Sequence, residues 1–280
     1  MFDMRYHIAS LVAVFLALTV GLLLGSLIAD KGVLADRQEK LVESIRADVS
    51  KINEENVALR TKLEDVQAFQ DEVLPVAIKN RLLDKQVMIV GMRGGQEEQV
   101  NSIKKALELA GAKTYSMQIK TKNLSFGDKN LVARLGTKFG ADGAQGGAFE
   151  SLFWPRVAAE LAGKEPPALI DELKLMDLIE IDDGSLSVEN IVVLAPGEKE
   201  VSHRDALFVE ALVGVGGIRV VGVETDATKP SRMATYKLRN VSTVDNIETV
   251  PGQISLVYLL ENRDVTAHFG AKATADKLLP

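Results

Sequence analysis

Three hydrophobic periodicities follow one another along the chain. Ile8 to Ala29 carries no charge, and its mean hydropathy of about +2.5 contrasts with about −0.14 for everything else. As a helix the run would measure about 33 Å, enough to cross a hydrocarbon core of about 30 Å once. A cleaved signal peptide is the competing reading. It would have a shorter apolar run and a small-x-small cleavage site, whereas Leu27 stands two positions before Ala29. Gly21 and Gly25 form a G-x-x-x-G, a spacing that lets helices approach closely but that is common in apolar runs.

Spacings of three and four then take over. Val42, Val49, Asn56, Leu63 and Gln70 fall at heptad position a, and Ile45, Ile52, Leu59, Val66 and Val73 at position d. β-Branched residues at a suit a two-stranded parallel coil, and a central a-position Asn bonds its twin in only one register. A homodimer through the seam Val42, Ile45, Val49, Ile52, Asn56, Leu59, Leu63 and Val66 is therefore expected. The alternative is one amphipathic helix lying on its own domain. From Asp36 to Leu74 the helix would span about 58 Å, and Pro75 should stop or kink it.

From Lys85 short apolar runs alternate with helical stretches. Strands are expected at 86–92, 113–119, 190–196 and 217–225, with helices at 97–112 and 202–215, the latter opened by a Ser202-x-x-Asp205 capping signal. Strand–helix alternation predicts parallel βαβ crossovers and a covered sheet. Between 121 and 183 the pattern supports helices at 129–139, 149–162 and 167–176, separated by the Gly-rich run GADGAQGGA, read as a flexible connector or a mobile insertion. The organisation read here is a short tail (1–7), a transmembrane helix (8–29), a coiled coil (34–75) and an α/β domain (85–280) with a mainly parallel sheet and covering helices.

Composition narrows the functions. With Lys and Arg at 33 against 39 Asp and Glu, and a pI near 5.3, the chain lacks the basic footprint of a nucleic-acid binder. It has no cysteine, which removes disulfides, thiolate nucleophiles and cysteine-based metal sites. The strand-turn-helix MIVGMRGGQEEQ resembles a phosphate-binding turn. However, Gly91, Gly94 and Gly95 fit neither nucleotide fingerprint, and Glu97 and Glu98 place negative charge at the helix start. No G-x-S-x-G or H-E-x-x-H occurs, so no enzyme is expected.

The most distinctive string lies near the C-terminus: VSTVDNIETVPGQISLVYLLENR, followed by HFG at 268–270. Asp245 and Asn246 have the character of a turn, and Val250-Pro251 of a helix start. Together with the opening MRYHIASLVAVFLALTVGLLLGS, the string resembles the MctB family, the mycobacterial copper transport protein B group that takes in SteB-like corynebacterial cell-separation proteins. The resemblance covers both ends and the span, coil and α/β order between them, but not 121–183. It implies a membrane-anchored envelope protein with its soluble part outside the cytoplasm. Charge alone leaves orientation open, with Arg5 before the span and Lys31, Arg37 and Lys40 after it. Copper enters only through the resemblance, which implies efflux or homeostasis. No other cofactor is expected, the seven methionines and three histidines are dispersed, and one span cannot enclose a pore without many copies. Thr243, Asp245, Asn246, Thr249, Gly252 and Gln253 are the positions singled out, as a bonded turn that locks the last helix or as a surface for an envelope protein partner. The expectation is a dimeric scaffold in the envelope or in cell separation, with copper transport as the alternative.

Overall fold

The computed structural model describes residues 4–93, 96–182, 184, 187–197 and 202–280. Residues 1–3, 94, 95, 183, 185, 186 and 198–201 and the side chains of residues 29–36 and 202 lie outside the described residues, and with them part of the tail, the start of the expected coiled coil, the turn glycines and the Ser202 cap. Contacts divide the chain into two compact units, Met1–Ala68 and Phe69–Pro280.

The described residues of the first unit are all helical. Helix α1 runs from Met4 to Ile78, and its segment Met4–Ile28 has a mean hydropathy of 2.7, long and apolar enough to cross a membrane. Of the stop or kink expected at Pro75, the stop does not occur there, since the helix runs on to Ile78. Proline removes only one helical N–H, and the last turn continues because Ile78 is fully buried in the second unit's core and the Lys79 N–H reaches the Pro75 carbonyl at 3.1 Å.

In the second unit the chain continues through β1 (Gln86–Gly91), α2 (Glu97–Leu109), β2 (Lys113–Ile119), α3 (Lys129–Gly136), α4 (Gly146–Leu161), α5 (Ala168–Leu175) and β3 (Ile179–Ile181). It closes with β4 (Asn190–Leu194), α6 (Ser202–Val215), β5 (Arg219–Val223), α7 (Met233–Lys237), β6 (Ser242–Val244), α8 (Val250–Glu261) and β7 (His268–Phe269). The sheet order is β3-β2-β1-β4-β5-β6-β7, parallel except where β3 pairs antiparallel with β2. The mainly parallel sheet agrees with the expectation from alternation. Of the Gly-rich connector, Gly146, Gly147 and Ala148 belong to α4 instead.

Successive strand residues feed opposite faces, as the period of two requires. Met88 and Val90 of β1 join one core with α3–α7, while Val87 and Ile89 join the other with α2, α8 and the end of α1. Met88 thus points into a core, as its strand position predicts. The first core is aromatic: Trp154 packs against Phe153 at 4.9 Å and Phe208 at 5.6 Å between ring centroids. The crossover helices leave β1 and β4 toward opposite faces, so the strand order reverses direction between these two neighbours.

Candidate functional site

In the first unit the seam residues form an unpartnered stripe. Val42, Ile45, Val49, Ile52, Leu59, Leu63 and Val66 are each about half exposed or more, from 48% to 64%. Asn56 donates its amide N–H to the Ile52 carbonyl at 2.9 Å, an internal bond that leaves its side-chain oxygen to the surface.

In the second unit the distinctive C-terminal string lies at the carboxyl edge of the sheet. Thr243 sits in β6, and its Oγ1 is 3.0 Å from His268 Nδ1 on the neighbouring strand. Asp245 follows β6 and is almost fully buried. Its carboxylate accepts from the backbone N–H groups of Ala271 at 2.7 Å and Lys272 at 3.0 Å, closing the loop after β7. Gly270 adopts φ +146°, and a Cβ there would overlap that carboxylate. The Asn246 carbonyl accepts from Thr249 Oγ1 at 2.8 Å, and Thr249 caps α8 by accepting from the Gly252 N–H at 3.2 Å. Gly252 passes so close to the Asn246 carbonyl that a side chain would not fit. Gln253 is 9% exposed in the first turn of α8. The six singled-out residues therefore sit together, mostly buried, tying β6, β7 and α8 to one another.

Beside them runs a buried ionic network absent from the sequence-based candidates. Glu224, directly after β5, is fully buried and accepts from Ser231 Oγ, from the Arg232 N–H at 2.9 Å and from Lys272 Nζ at 2.8 Å. Lys272 Nζ also donates to the carbonyls of Thr225 at 2.9 Å and Thr228 at 3.2 Å. Asp205 lies in the first turn of α6. It faces inward and accepts from Tyr236 Oη at 2.6 Å and Arg232 Nε at 3.1 Å. Burial pushes its carboxyl above the ordinary range against the pull of those two partners, and burial beside Asp205 drives the Tyr236 phenol well above its usual value. A signal for Asp205 was present: it shares its helix face with Phe208, Val209 and Leu212, three, four and seven residues on.

A cleft of about 270 Å³ opens outside the ends of β1, β4 and β5. Arg93, Gln96, Gln99, Thr225, Thr228 and Lys229 line it together with residues 194–197. Gln96 is held by a 3.0 Å bond from Nε2 to the Ala195 carbonyl. Glu97 and Glu98 open α2, but both are exposed and neither lines the cleft. Among the described residues no three His, Asp or Glu side chains are grouped to hold a metal ion. His7 lies in α1, His203 is exposed within 3.5 Å of Glu150, and His268 is buried in β7.

The whole chain, residues 1–280, matches the family model described as "Copper transport outer membrane protein, MctB". Relatives called "Copper transporter MctB", from Mycobacterium tuberculosis and Mycobacterium bovis, are 23% identical over 98% of this chain and 96% of their own length.

Proposed function

Because the chain belongs to the MctB family, we propose that it is a non-enzymatic, single-pass membrane protein that pairs with a second copy through its heptad seam. Its α/β domain is then presented in the cell envelope to a protein partner. The observation that carries this reading is the stripe from Val42 to Val66, apolar at every a and d position but Asn56 and exposed throughout on a single chain. Leaving such side chains in water forgoes on the order of 1 kcal/mol each, which a parallel partner would recover. Two anchored copies can meet only in parallel, the arrangement that an a-position Asn selects.

The test uses the absence of native cysteine. Asn56→Cys in the full-length chain is expected to form a disulfide-linked dimer in cells, as an oxidising exterior permits, whereas Glu54→Cys on the outer helical face should stay monomeric. If Asn56→Cys remains monomeric under diamide while the protein is folded, the seam reading fails. Recovery of envelope-remodelling proteins with the dimer, and chaining of cells on deletion, would support the scaffold role.

A second reading, copper handling, draws on the name of the mycobacterial relatives. It predicts Cu(I) binding by the purified chain and raised cellular copper on deletion. This chain offers no thiolate ligand, so thioether and imidazole groups would have to serve.

A further inference from the structure

We propose that the membrane spans of two copies of this chain pack against each other along the face that carries Ser10, Val14, Ala17, Gly21, Leu24 and Ile28. This rests on the paired seam proposed above and extends it into the bilayer. The first observation is continuity. Helix α1 runs from Met4 to Ile78 as one element, and its apolar segment and exposed seam belong to the same compact unit. Two copies held together from Val42 to Val66 therefore enter the membrane side by side.

The second is phase. Counting back in sevens from Val42 puts Ile28, Gly21 and Val14 at position a, and counting back from Ile45 puts Leu24, Ala17 and Ser10 at d. Helices that wind round each other keep 3.5 residues per turn, so a register set in the coil is carried into the span instead of drifting off it. That register is fixed outside the membrane. An in-register parallel pair sets Asn56 against its twin and brings Glu55, at g, beside Arg60, at e, of the second copy. The face is thus chosen by the coil, before any property of the span is considered.

The third is the fit of that face. Association in lipid has no hydrophobic driving force and depends on close approach of backbones, which small residues permit. Ala13, Ala17, Gly21 and Gly25 stand four apart, and the middle two fall at d and a, so the line of small residues crosses the seam at its centre. A Cβ placed on Gly21 or Gly25 meets nothing within 4 Å in the single chain, which leaves the space to a second backbone.

The test places single cysteines in the full-length, otherwise cysteine-free chain and oxidises them with iodine in native membranes. Ala17→Cys and Gly21→Cys are expected to form dimers at least about five times faster than Leu16→Cys and Thr19→Cys, which lie at similar depth on other faces, because only seam positions bring the two Cβ atoms to the roughly 4 Å that a disulfide requires. Gly21→Leu should slow cross-linking of Ala17→Cys by about the same factor and leave that of Asn56→Cys as it was. Cross-linking of Asn56→Cys without any preference for the Ala17 and Gly21 positions over Leu16 and Thr19 would overturn this proposal and leave the seam standing, as would a Gly21→Leu change without effect. Absence of cross-linking at all five positions would overturn both.

Discussion

Lys272→Met should destabilise the α/β domain by about 3–5 kcal/mol, because it leaves Glu224 ionised in a fully buried position without its cation. At 2.8 Å and an effective dielectric near 20, the Lys272–Glu224 attraction is about 6 kcal/mol before desolvation is charged against it. The Lys272 side chain is only 18% exposed, so solvent screens the pair weakly. Ser231 and the Arg232 N–H still solvate Glu224 in the variant, which keeps the loss below that gross figure. For a domain of this size each kcal/mol moves the midpoint by about 2–4 °C, so a fall of about 6–20 °C is expected. Trp154, the only tryptophan and a core residue of this unit, reports the transition without interference from the N-terminal helix. The decisive comparison is the double variant Lys272→Met/Glu224→Gln. If the carboxylate is the source of the penalty, removing its charge should return part of the loss and give a coupling of about 1–3 kcal/mol. A midpoint change under about 2 °C, or strictly additive single changes, would refute the reasoning.

Two further outcomes follow from the C-terminal string. Gly270→Ala should cost more than about 1 kcal/mol, since its φ of +146° suits only glycine and the new methyl meets the Asp245 carboxylate; Gly270→Ala melting within error of the parent would count against this. His268 titrates below its ordinary 6.5 because burial disfavours the cation and Lys237 repels it, Asp276 pulling the other way. The unfolded chain therefore binds that proton first. The contribution of His268 is complete above about pH 6.5 and declines as pH falls through that value toward the folded-state pKa, and the decline in melting temperature from about pH 7 to 5 should shrink in His268→Gln.

What the chain's order of residues reveals depends on how local the cause is. The apolar run before Ile28 and the long helix through the heptads need only neighbours three and four apart. The strands at Gln86, Asn190 and Arg219 need only buried β-branched runs between helix signals, and the strand at Lys113 follows as the segment after the first helix. All of these were legible. The strands β3, β6 and β7, of two or three residues each, were not, because so short a segment has no period of its own and exists only as a guest of a formed edge. The site divides the same way. Thr249 and Val250-Pro251 announce a helix start by local chemistry, and the structure caps α8 there.

Neither the Asp205–Arg232–Tyr236 contact nor the Lys272 clamp on Glu224 could be read in advance, since each joins residues 27 to 48 positions apart. The cleft is the extreme case. Arg93 and Lys229 look like unrelated surface cations in the sequence, and only the placing of β4 beside β1, with their crossovers on opposite faces, brings the two charges to one opening. Sequence by itself determined the apolar N-terminal helix, the heptad stripe that continues it and the alternation of strand and helix, because those arise from short-range periodicity and burial. Tertiary structure alone decided which buried charges meet and where a cleft opens, because both depend on strand order, which no local pattern encodes.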